Sequence, residues 1–114
     1  MKQIVLKKFI TKCHNGQNKL SLALITGASK GIGKSTAKTF ANAGWDLILL
    51  SRNMDSLKNL KVELSNTQSK INLVECDLSS SNEIESCIKK LIKKYGCPSV
   101  LINNAGCAFN GDLI

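Results

Sequence analysis

Thr26-Gly27-Ala28-Ser29-Lys30-Gly31-Ile32-Gly33 is the stretch on which the reading of the chain turns. Before it stands the apolar run Leu22-Ala23-Leu24-Ile25, which reads as a buried strand. After it, Lys34 to Ala43 reads as a helix. Strand, glycine-rich turn and helix start form a local design for holding a phosphate. The first helical turn leaves backbone N–H groups unpaired and carries the positive end of the helix dipole. Glycines let that backbone approach an anion without Cβ atoms in the way. The spacing is G-x-x-x-G-x-G, at Gly27, Gly31 and Gly33. Taken by itself, the triplet also fits an ordinary glycine-rich loop of an α/β domain.

Outward from this stretch, strands and helices alternate. Leu20 to Thr26 predicts strand one, its unbroken apolar character suiting a parallel strand covered on both faces. In the helix that follows, Ile32, Thr36 or Ala37, Phe40 and Ala41 fall on one side, and Gly44 is placed to cap its end. Trp45 to Leu50 predicts strand two; Asn53 or Asp55 then caps a helix with Leu57, Leu60 and Leu64 on its inner face and Lys58, Lys61 and Glu63 toward water. Ile71 to Cys76 predicts strand three. A helix opening at Ser79 to Ser81 follows, Ser80 and Glu83 having capping-box spacing. Its stripe of Ile84, Cys87, Ile88, Leu91 and Tyr95 is amphipathic, with Lys89, Lys90, Lys93 and Lys94 outside. Gly96-Cys97-Pro98 ends that helix, and Val100 to Ile102 predicts strand four. The sum is β-α-β-α-β-α-β, a pattern that predicts a parallel sheet.

Composition narrows the function classes. The 114 residues are 43% hydrophobic and 21% charged, enough for one modest core. No apolar run approaches the roughly 20 residues of a membrane span. The net charge is +8, with Arg52 the single arginine among 16 basic residues. Scattered aromatics and a lysine-dominated surface argue against nucleic acid as a partner. Residues 1–19 form a basic extension with five lysines and no acid, read as a short helix, a frayed segment or a targeting peptide. Cys13, Cys76, Cys87, Cys97 and Cys107 are odd in number and contain no C-x-x-C. They suggest reduced thiols in a cytoplasmic protein, with neither a disulfide framework nor a metal site, His14 included.

Three further stretches stand in order behind the first: Ser51-Arg52, Cys76-Asp77-Leu78 and Asn103-Asn104-Ala105-Gly106. With Thr26 to Gly33 they make the chain resemble the short-chain dehydrogenase/reductase family, from about Leu20 to its last residue. The resemblance implies an α/β, Rossmann-type doubly wound parallel sheet with four strands in the order 3-2-1-4, so that 20–114 is a partial NAD(P)-binding domain. Ligands in such sheets bind beyond the carboxyl ends of the strands, and all four motifs fall at those ends.

What the resemblance implies for the site residues is specific. Gly27, Ser29, Lys30, Gly31, Ile32 and Gly33 would seat the pyrophosphate of a dinucleotide. Ser51 stands where NAD-preferring relatives carry an acid. Arg52 and Lys30 would therefore meet a 2′-phosphate and favour NADP(H), NADPH over NADH, unless both are plain surface cations. Asp77 would meet the adenine with Leu78 beside it, or serve only as a turn residue. Asn103, Asn104, Ala105 and Gly106 would back the ribose and nicotinamide, Asn103 reading equally as a structural hydrogen-bonder. The family's catalytic Ser and Tyr-x-x-x-Lys lie beyond Asn-Asn-Ala-Gly, and the chain ends at Ile114. The expectation is thus an N-terminal, cofactor-binding half of an oxidoreductase acting between a carbonyl and a hydroxyl carbon, with no catalytic residue assigned. The alternative is a non-catalytic nucleotide-binding module or truncated paralogue. Tyr95, followed by Ser99 rather than Lys four places on, reads as core. A sheet ending at strand four would leave an apolar edge for self-association.

Overall fold

The computed structural model describes residues 18–29, 31–77, 79 and 81–103. Strands β1 (Asn18–Thr26), β2 (Asp46–Ser51), β3 (Ile71–Glu75) and β4 (Cys97–Asn103) alternate with helices α1 (Gly31–Asn42), α2 (Met54–Glu63) and α3 (Ser81–Tyr95). All pairings are parallel, in the order β3-β2-β1-β4. The expected α/β Rossmann-type order is the one observed, with β4 at one edge of the described sheet.

The unbroken apolar runs are explained by period-two alternation between two cores. Ala23, Ile25, Leu47 and Leu49 face Ala37 and Ala41 of α1 and Leu57 and Leu60 of α2. Leu22, Leu24, Ile48 and Leu50 face Ile84, Ile88 and Leu91 of α3. Helices thus cover both faces, and the central strands have no water-facing side. Tyr95 packs against the second core, as read from its stripe.

Local signals place the helix ends. Gly44, at φ 88°, terminates α1. Its N–H reaches the Ala41 carbonyl while that of Trp45 reaches the Phe40 carbonyl, each at 3.0 Å. This is a Schellman closure, and the apolar contact that accompanies such closures is the edge-on Phe40–Trp45 pair, 5.2 Å between centroids. Asn53, not Asp55, caps α2, its side chain accepting from the Ser56 N–H at 3.1 Å.

Several expectations change. Helix α1 begins at Gly31 rather than Lys34. Its buried residues are therefore Gly33, Ala37 and Ala41, and Ile32, expected on the inner side, is 76% exposed in the first turn. Strand β4 begins at Cys97, inside what read as a helix stop. Pro98 is accommodated where the β1–β4 register breaks between Lys19 and Ala23, with Ser21 at φ 64°. There the Ser99 hydroxyl donates to the Leu22 carbonyl at 3.3 Å, beside a proline that has no N–H to give. Reduced cysteines are observed at Cys76 and Cys87. Cys97, buried at the start of β4, is instead disulfide-bonded.

Glu63, expected to face only water, ties α2 to α1. Its carboxylate lies 3.1 Å from Lys34 Nζ and 3.0 Å from Lys38 Nζ. The hydrogen bonds from Lys38 and then Lys34 lower its pKa below the ordinary value of 4.5. A depressed carboxyl pKa contributes stability that is present above the unfolded-state pKa and lost as pH falls through the folded one. The pairs are solvent-exposed, so the effect is small and salt-sensitive. Glu63→Gln is expected to melt slightly below wild type at neutral pH and low salt, the two curves converging in acid. Thermal melts across pH 3–7 check this.

Candidate dinucleotide site at the carboxyl rim

The turn after β1 is set by a single close approach. The Gly27 N–H continues the β1–β2 ladder by donating to the Leu50 carbonyl at 3.0 Å. The Gly27 carbonyl then faces the first turn of α1. A Cβ on Gly33 would overlap that carbonyl oxygen and lie 2.9 Å from its carbon. Gly33 thus lets the helix start pack onto the strand tip. Gly31 works differently. It has φ +60°, a conformation costly for residues with a Cβ, yet among the described residues beyond its chain neighbours and its own helix backbone a Cβ there would meet no atom within 4 Å. Among the described residues the space over Gly31 is open, and Gly31 lies at the start of α1, where backbone N–H groups lack helical acceptors. Ile32 is exposed beside it.

Neighbouring strand ends are joined to this turn. Ser29 Oγ and Ser51 Oγ are 3.1 Å apart, and the Asn53 N–H donates to Ser51 Oγ at 3.2 Å. Arg52, the residue between, is exposed. On the other side, the fully buried Thr26 hydroxyl donates to Asn103 Oδ1 at 2.8 Å, joining paired residues of β1 and β4. This is the structural hydrogen bond that one reading of Asn103 expects. Sequence reasoning assigned Thr26 no role; its pairing with Asn103 emerges only from the register.

Asp77 stands one position past the last bridge of β3 to β2, Cys76 N–H to the Ser51 carbonyl at 3.0 Å. Its Oδ1 accepts from the Ser79 N–H at 2.9 Å and from the Ser79 hydroxyl at 2.7 Å. The Asp77 N–H donates to Glu83 Oε2 at 2.9 Å. Asp77 therefore does act as a turn residue. Glu83 reaches back to the strand exit, while Ser80, its expected capping partner, lies outside the described residues. So do the predicted site residues Lys30, Leu78, Asn104, Ala105 and Gly106. The structure brings Gly27, Gly31, Gly33, Ser29 and Ser51 together at one rim, with Thr26 and Asn103 on its β4 side. Asp77 is held in its own turn at the β3 exit.

A parallel sheet with its glycine turn, serine bridge and exit residues on the carboxyl rim defines a Rossmann-type nucleotide-binding architecture. The family model described as "short chain dehydrogenase" matches residues 21–113, and the chain belongs to that family. It is 34% identical to dehydrogenase/reductase SDR family member 7B of Xenopus laevis, over 96% of this chain and 36% of that protein. It is 35% identical to farnesol dehydrogenase of Aedes aegypti, over 82% of this chain and 38% of that one. Among solved structures, a metagenomic short-chain oxidoreductase in complex with NADP superposes with a TM-score of 0.70 at 32% identity, covering 75% of this chain and 38% of its own. L-Sorbose reductase of Gluconobacter frateurii, complexed with NADPH and L-sorbose, gives 0.69 at 29% identity, covering 75% and 33%. The chain spans about a third of the length of these relatives.

The two glycines are expected to fail differently. Gly33→Ala forces helix and strand apart and should lower the melting temperature well below that of Gly31→Ala. The latter carries only the left-handed backbone penalty of about 1–2 kcal/mol. Denaturant unfolding of both variants measures the difference. Equal losses would show that the Gly27–Gly33 approach does not set the turn.

Proposed function

We propose that these residues seat the adenine dinucleotide of NADP(H). The observation that carries the reading is the glycine turn: an α1 start packed hard onto β1 through Gly33, with open space over Gly31. Helix starts of this kind receive phosphate through unpaired N–H groups and the positive dipole end. The pyrophosphate is assigned to the Gly27–Gly33 turn, with Ser29 and Lys30 as polar partners and the exposed Ile32 packing alongside. Arg52 is assigned to the 2′-phosphate, the serine bridge providing hydroxyls where an acid would repel it. Asp77 and Leu78 are assigned to the adenine. Asn103 holds β4 against β1 so that Asn104, Ala105 and Gly106 can support the ribose and nicotinamide.

When bound, the nicotinamide supplies hydride transfer to or from a carbonyl or hydroxyl carbon. This chain's residues bind and orient; that chemistry is proposed for a protein of the relatives' length. The NADPH complex of the sorbose reductase and the NADP complex of the metagenomic oxidoreductase support the cofactor. They leave the preference for NADPH over NADH resting on Arg52 and Lys30. We further assign 20–114 as one partial cofactor-binding domain with residues 1–19 as its extension, and β4's outer edge as a surface for self-association. A cytoplasmic location rests on the free thiols of Cys76 and Cys87, the Cys97 disulfide counting against it. No helix among the described residues is long and apolar enough to cross a membrane.

Arg52→Asp tests the cofactor assignment. A hydrogen bond to a charged group contributes about 1.5–3 kcal/mol, on the order of ten- to a hundredfold in affinity. Titration by nucleotide fluorescence should show NADPH binding more tightly than NADH to wild type, with that order lost or reversed in Arg52→Asp. Equal wild-type affinities would overturn the NADP assignment; no binding of either would overturn the dinucleotide site itself.

A further inference from the structure

Behind the rim, one group of side chains has chemistry that cofactor binding does not use. Cys76, at the exit of β3, and Glu83 and Cys87, on the first half of α3, bring their ligand atoms within 4.8 Å of one another. The placement follows from the fold. Glu83 and Cys87 are four residues apart and share one helix face. The second core seats that face over the end of β3, where Cys76 is buried among Ile84 and Ile88. Cys87 is half-buried and its thiol points toward the Glu75 carbonyl, 4.0 Å away. Glu83 is exposed, and its Oε2 accepts from the Asp77 N–H. A carboxylate has two oxygens and about four acceptor sites. Both cysteines are free thiols.

We propose that Cys76, Glu83 and Cys87 form a binding site for a thiophilic divalent cation, zinc in the first instance. Two sulfurs and one carboxylate oxygen are a donor set that zinc accepts, and a fourth position is left to water. Tetrahedral zinc with bonds near 2.3 Å holds two sulfurs roughly 3.8 Å apart, a separation that fits ligand atoms lying within 4.8 Å of one another. Each thiol passes its proton to solvent as its sulfur–metal bond forms. The cation would pin the start of α3 to the exit of β3. The sequence signal was the i,i+4 pair Glu83 and Cys87. Its third member could not be read without knowing where α3 lies on the sheet.

Cadmium is the probe, because cadmium–thiolate bonds absorb in the near ultraviolet and zinc competes without absorbing. One equivalent added to the full chain should give a sulfur-to-metal band that zinc abolishes. Cys87→Ser, with unchanged circular dichroism, should lose that band. Glu83→Gln should keep it but bind about tenfold or more weakly, since even outer-sphere partners are worth that much. No band in wild type, an unchanged band in Cys87→Ser, or unchanged affinity in Glu83→Gln would each overturn the site. So would conversion of Cys76 and Cys87 to a disulfide in place of metal binding.

Discussion

The arrangement depends on one contact, the packing of Gly33 against the Gly27 carbonyl. It brings the start of α1 directly onto the tip of β1. With the helix there, its buried residues Ala37 and Ala41 descend over one sheet face. Small residues at both positions keep helix and sheet close along that length. The rim geometry then follows: β1 and β2 are bonded through Gly27 and Leu50, and β1 and β4 through Thr26 and Asn103. A bulkier residue at 33 would therefore disturb more than a loop.

Much of this was legible because the physics is local. Apolar runs bounded by turn residues, helical stripes and glycine caps gave seven elements in the right order, and the Rossmann-type strand order followed from the family motifs. What escaped depends on distant neighbours. Ile32 reads as inward if α1 starts at Lys34, and as outward once the helix is seen to begin at Gly31. Cys97 and Pro98 read as a helix stop because proline rarely enters a strand. The irregular register near Ser21 makes room for it, and no local pattern announces that. Glu63 reads as a solvent-facing acid until α1 and α2 lie side by side.

The candidate site divides along the same line. The glycines were legible because their role is conformational and the spacing is short. Asp77 was ambiguous because a turn and a ligand contact both want a short carboxylate, and its own turn is what the structure displays. Thr26 lay inside the quoted stretch without a part to play. Its hydroxyl has meaning only through a residue 77 positions later.

The paired hydroxyls of Ser29 and Ser51 have a property that neither residue has alone. Either oxygen can be the donor in their bridge. Two hydroxyls own two hydrogens, and the bridge consumes one. Whichever way the bridge is polarised, one hydrogen is left over, and it can sit on either oxygen. The rim therefore always has a single hydroxyl proton to offer, and it can shift its position by turning two torsions, with no backbone movement. A dinucleotide seated as proposed would meet a donor that adjusts to it, at the cost of two rotors falling into step.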